Sequence, residues 1–95
     1  MTLAGFKNSL ADNSTPPVAL SIFLQALWYD AKGDWEKAHT LIQDVPDKTG
    51  AWIHAYLHRK EGDLGNADYW YRRAGKRRPD KTLEEEWKNI VEALL

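Results

Sequence analysis

Gly33-Asp34-Trp35-Glu36-Lys37-Ala38 and, 29 positions later, Gly62-Asp63-Leu64-Gly65-Asn66-Ala67 are the two stretches that decide the fold. In each, a glycine suits the left-handed conformation that ends a helix, and the aspartate after it suits the cap of the next. The alanine one turn further on lets two helix axes approach closely. Working outward, the same shift lays Ala26 on Ala55, Leu24 on Ile53, Trp28 on Leu57, Leu41 on Trp70 and Ile42 on Tyr71. The pattern is two helix–turn–helix hairpins. A single hairpin cannot bury its apolar face, so the two are expected to stack.

Punctuation on either side supplies the remaining boundaries. Ser14-Thr15-Pro16-Pro17 reads as a helix start and predicts a helix from about Pro16 to Lys32. Asp34 caps a second, running to about Val45. Pro46 to Gly50 reads as a loop, followed by a third helix to about Glu61 and a fourth from about Leu64 to Gly75. Arg77-Arg78-Pro79-Asp80 is a second loop. Thr82 and Glu85 have the spacing of a capping box, and Leu83, Trp87, Ile90, Val91 and Leu94 form one apolar stripe behind it. Thr2 to Ala11 suggests a short helix through Leu3, Phe6 and Leu10. No stretch alternates as a strand does. The expected fold is all-α and a single domain over residues 1–95. It divides into an N-terminal segment 1–15, a first repeat 16–45, a second repeat 49–79 and a capping helix 82–95. That makes five helices, or six with the N-terminal one.

The two Gly-Asp corners resemble those of the tetratricopeptide repeat family, which runs Gly-Asp-aromatic-x-x-Ala at this point. Pro79 falls where that family ends a repeat with proline. The resemblance covers about Ala19 to Pro79. It departs in period, 29 here against about 34 in the family, and in having two repeats where about three are usual. The last helix is therefore expected to act as a cap. The resemblance implies antiparallel hairpins and a module that binds a protein or peptide partner, or a second copy of itself, without catalysis. The face that would line the concave side carries Trp52, Tyr56, Arg59 and Lys60, an aromatic and cationic set suited to a peptide. The family's carboxylate clamps use Lys, Asn and Arg, and the matching face of the first repeat is Leu20, Phe23, Leu27 and Asp30. A C-terminal carboxylate ligand is accordingly not expected.

Composition narrows the functions further. The chain has 95 residues, 43% hydrophobic and 28% charged, enough for one modest core that buries roughly two-thirds of the unfolded surface. The absence of cysteine excludes disulfides, thiol chemistry and cysteine–zinc sites. Five tryptophans are many for this size. Trp28, Trp35, Trp70 and Trp87 fall on helix faces that packing has to fill, and Trp52 falls on the expected binding face. The net charge of −1 disfavours nucleic acid and an anionic membrane as partners. That figure hides a polarity: His54 to Pro79 carries +4 and the remainder −5. Arg72, Arg73, Lys76, Arg77 and Arg78 are thus a candidate anion or nucleic-acid site, with Tyr69 and Trp70 as stacking partners. The plainer reading places these cations at a helix C-terminus, facing Asp80 and Glu84 to Glu86. No charged leader precedes a long apolar run, and Val18 to Ala31 is broken by Ser21, Gln25 and Asp30. A cytoplasmic protein without a membrane span is expected.

One further cluster stands out. His54, His58 and Glu61 follow i, i+4, i+7 spacing and share a helix face. Two imidazoles one turn apart suit a transition metal if another ligand converges, with Asp63 and Asp68 as further candidates. The alternative is a buried network in which the imidazoles bond Tyr71, Asp68 or backbone. Residue 55 is alanine, so a His-Glu-x-x-His protease motif is absent. Catalytic triads and phosphate-cradling glycine loops are absent as well. No cofactor is expected, and an enzymatic role is disfavoured.

Overall fold

The computed structural model describes residues 1–95, and every regular element in it is a helix. The six are α1 Leu3–Asp12, α2 Ile22–Ala31, α3 Trp35–Ile42, α4 Lys48–Lys60, α5 Leu64–Arg73 and α6 Leu83–Leu94. Each begins at a side-chain cap. Thr2, Ser21, Asp34, Asp47, Asp63 and Thr82 each accept a hydrogen bond from the backbone N–H three residues on. Such caps satisfy donors that the helix leaves unpaired, each worth about 1 kcal/mol. At α6 the cap is reciprocal, with the Glu85 side chain accepting from the Thr82 backbone.

The two corners have the same geometry. Gly33 has φ +88° and Gly62 φ +85°, in the region that side chains rarely adopt. Gly33 N–H bonds to the Asp30 carbonyl at 2.9 Å and Asp34 N–H to the Tyr29 carbonyl at 2.9 Å. Gly62 and Asp63 repeat this with the carbonyls of Arg59 and His58, both at 3.0 Å. Helix α2 lies chiefly against α3, and α4 chiefly against α5. Ala26, Ala38, Ala55 and Ala67 are all completely buried, as close axis approach requires.

Three boundaries differ from the sequence reading: α3 ends at Ile42, not near Val45, and α2 and α4 start elsewhere. Helix α2 starts at Ile22, not near Pro16. Pro17 pushes Pro16 away from helical backbone, and Ala19 turns into the left-handed region at φ 69°. Ser21 then caps through Leu24 N–H at 3.2 Å. Helix α4 starts before Gly50, because Asp47 accepts from Gly50 N–H at 2.8 Å. A side chain at Gly50 would stand 2.9 Å from the Val45 carbonyl oxygen, so only glycine allows this first turn to sit where it does.

Helix α4 is the centre of the molecule and touches α2, α3, α5 and α6. Its residues Ile53, Tyr56 and Leu57 join Phe6, Leu24, Leu27, Trp28, Ile42, Ile90 and Val91 in the main core. Three tryptophans clasp helices together through their indole N–H groups. Trp28 donates to Ser9 Oγ at 3.0 Å (α2 to α1), Trp35 to the Leu57 carbonyl at 2.8 Å (α3 to α4), and Trp87 to the Leu27 carbonyl at 3.0 Å (α6 to α2). Each combines a large apolar area with a satisfied polar tip. Leu27 is fully buried, and Leu20 and Phe23 are half-covered. No helix is long and apolar enough to cross a membrane.

Candidate functional site

Much of the expected binding face on α4 is taken up by bonds within the chain, although Lys60 stays exposed. Tyr56 is 2% exposed and donates to Asp30 Oδ2 at 3.0 Å, while Lys60 Nζ donates to Asp30 Oδ1 at 2.9 Å. Arg59 donates to Glu86 Oε1 at 2.9 Å and to the Lys81 carbonyl. Glu86 also accepts from the Tyr71 hydroxyl, at 2.7 Å to each oxygen. Asp30 and Glu86 are both 2% exposed. The chain thus holds two parallel arrangements, each a buried carboxylate, a tyrosine hydroxyl and a cation from α4. Burial, then the adjoining carboxylate, pushes both phenols well above their ordinary range, so they stay protonated and donate. Helices α2 and α6 both pack against α4, and their carboxylates Asp30 and Glu86 take up its polar groups. Trp52 lies apart from this, half-buried, with Lys76 Nζ 4.1 Å from its ring centre.

Two residues of the expected binding set, Tyr56 and Lys60, nevertheless reach a common cavity. It has a volume of about 470 Å³ and lies where the ends of α1, α2 and α4 meet the start of α6. Leu10, Ala31, Leu83 and Trp87 make its walls apolar. Helix ends meeting at a corner fill space poorly, which leaves the hollow. Lys7 and Glu84 stand at the cavity without an ion-pair partner. Lys32 secures the α1 wall by donating to the carbonyls of Leu10 at 2.8 Å and Asn13 at 3.2 Å, a cation at a helix C-terminus.

The basic run splits. Arg72, Lys76, Arg77 and Arg78 line a second cavity of about 310 Å³ with Asp68 and Tyr71. Arg78 Nε pairs with Asp68 at 3.2 Å. Arg73 lies over Trp70 at 5.3 Å and Lys76 over Trp52, so two cations cover aromatic faces. No ion pair joins the run to Asp80, Glu84, Glu85 or Glu86. Trp70 is also stacked on His54 at 4.0 Å, which leaves it little face for a nucleotide base.

All three histidines of the chain converge. His54 and His58 on α4 meet His39 on α3, with one ring nitrogen from each lying within 4.8 Å of the others. The Nε2 atoms of His39 and His54 are 2.9 Å apart. Trp35 stacks on His39 with ring centres 4.9 Å apart, so indole faces brace two of the rings. Glu61 is placed behind the cluster, its Oε1 2.6 Å from His58 Nδ1. Asp68 and Tyr71, the alternative partners in the sequence reading, are engaged elsewhere. Burial, then His39 and His58, lowers the His54 pKa to about 4. His39 is also lowered, by burial and then by His58. His39 escaped the sequence reading because it lies 15 residues from His54 on a different helix. Its one local signal was position: it is one turn beyond Trp35, on the stripe that faces α4.

No protein-family model, curated protein or solved structure matches this chain.

Proposed function

We propose that the chain is a small tetratricopeptide-like interaction module without catalytic activity. In this reading α2–α3 and α4–α5 are its two hairpins, α6 is the cap and α1 covers the open side. The matched glycine conformations and cap hydrogen bonds 29 residues apart support the repeat. The observation that carries the function is the apolar cavity at the four helix ends. Its partner is a peptide that inserts one apolar side chain beside a carboxylate. The walls suit the side chain, because apolar area with a few convergent polar groups is the usual make-up of such a pocket. Lys7 and Lys60 suit the carboxylate. Lys60 spends one donor on Asp30 and keeps others free, and Lys7 is unpaired.

Selection of a random linear peptide library on the purified protein tests this. The expected result is a consensus pairing a large apolar residue with Asp or Glu. Ala31→Trp, which fills the cavity from an exposed position, should abolish binding of the selected peptides. Lys7→Glu should weaken them. Failure to enrich such a consensus, or peptides that bind the folded Ala31→Trp variant equally well, would refute the reading.

A further inference from the structure

The three-histidine cluster lies outside the peptide cavity and is not explained by it. We infer that His39, His54 and His58 form a binding site for a divalent transition ion of the zinc class. Three imidazoles in one place, with no cysteine in the chain, are a donor set that suits zinc, cobalt, nickel and copper rather than magnesium or calcium.

The geometry supports this at each ring. His58 turns Nδ1 to Glu61, with 2.6 Å between the heavy atoms, which leaves Nε2 as the nitrogen that can meet an ion. The Asn66 amide nitrogen lies 3.4 Å from that Nε2, as a donor to a lone pair would. A carboxylate on the far nitrogen of a ligating imidazole is the arrangement that fixes ring orientation and raises ligand basicity. His39 and His54 bring Nε2 to Nε2 across 2.9 Å, one ring donating to the other, and a bound ion would take the place of that shared proton, which leaves to solvent. Ligand nitrogens of a tetrahedral zinc ion, with Zn–N of about 2.0–2.1 Å, lie about 3.3 Å apart. The widest separation in the cluster is within 4.8 Å, so closing to that spacing asks for a movement of at most about 1.5 Å. Trp35 and Trp70 hold the His39 and His54 rings by stacking, so little side-chain freedom remains to be lost on binding. His54 is 5% and His58 8% exposed, whereas His39 is only half-buried and marks the side from which an ion enters.

The test uses the full chain without a histidine tag, titrated with cobalt(II) and read by its visible absorption, with zinc(II) as competitor. Saturation at one ion per chain, with a tetrahedral cobalt spectrum displaced by zinc, is expected. His39→Gln, at the half-buried position, should weaken binding at least 100-fold while circular dichroism shows an unchanged fold. Glu61→Gln should weaken it by about 10- to 100-fold, and Glu92→Gln, on the exposed end of α6, should leave it unchanged. Side-chain NMR of the unaltered protein gives a reading independent of any variant: zinc should shift all three imidazoles together. The inference is overturned by absence of saturable binding, by undiminished binding in folded His39→Gln, or by zinc shifts confined to fewer than three rings.

Discussion

Replacing Arg59 with methionine is the sharpest test of how this fold is held. Arg59 and the Tyr71 hydroxyl are the two side-chain partners of Glu86, a carboxylate 2% exposed that ties α6 to α4 and α5. Methionine keeps much of the arginine stem's volume and removes the charge. Glu86 then keeps one neutral donor, and the Lys81 carbonyl loses its partner. Breaking a buried pair from one side costs about 3–5 kcal/mol, because the remaining charge is left uncompensated. A chain of this size has about 5–14 kcal/mol of stability in total. A loss of about 3 kcal/mol should lower the Tm by roughly 12–24 °C. Urea denaturation of Arg59→Met should show this as a fall in midpoint at unchanged slope. The matched control replaces all three groups, as Arg59→Met, Glu86→Leu and Tyr71→Phe together. Apolar substitution of a whole buried network is often close to neutral, so the triple variant should recover most of the loss. A single variant that costs under 1 kcal/mol, or a triple variant no better than the single, would show that Glu86 is not the buried, doubly held carboxylate described above.

The remaining predictions concern other joints. Ser9→Ala should cost about 1–3 kcal/mol by leaving the buried Trp28 indole N–H without its acceptor, read by denaturation and by a blue-shifted tryptophan emission if the indole stays dry. Gly33→Ala and Gly62→Ala meet no atom within 4 Å, so each should lose only the left-handed backbone cost of about 1–2 kcal/mol. The two losses should match to within a kcal/mol, and a larger gap would show that the corners are not equivalent. Stability of the metal-free protein should fall as the solution is acidified from pH 6.5 towards 4. In that window the unfolded chain protonates His54 while the folded chain, with its pKa lowered to about 4, does not. The full contribution, about 3 kcal/mol, is present above pH 6.5. His39 adds to the loss in the same direction, and Glu61 opposes it by favouring a charged His39. His54→Phe should flatten the profile between those pH values. A profile that keeps its slope in His54→Phe would assign the effect to other groups.

The helices and corners were legible because their signals act within a few residues. A cap needs a hydroxyl or carboxylate three positions before the N–H it accepts, and Thr82 with Glu85 satisfied that on sight. Gly33 and Gly62 end helices for a reason internal to the backbone. The start of α2 was misread because Pro16 and Pro17 look like an entry, while the decisive cap, Ser21, stood a few residues on without a proline to mark it. The functional face was less legible. Tyr56, Arg59 and Lys60 have the residue types of a binding surface, and the same types serve equally well to hold a buried carboxylate.

What the sequence by itself determined is therefore the local grammar: five helices with a sixth suggested at the N-terminus, two matching Gly-Asp corners, and alanines where axes cross. What only the tertiary structure decided is which polar groups meet. Asp30 reaches Tyr56 and Lys60, Glu86 reaches Arg59 and Tyr71, and His39 reaches His54, all across helices. Backbone caps and turns are fixed by neighbours along the chain. Contacts between helices depend on how α2, α3 and α6 settle against α4, and that is set by the summed packing of the whole core.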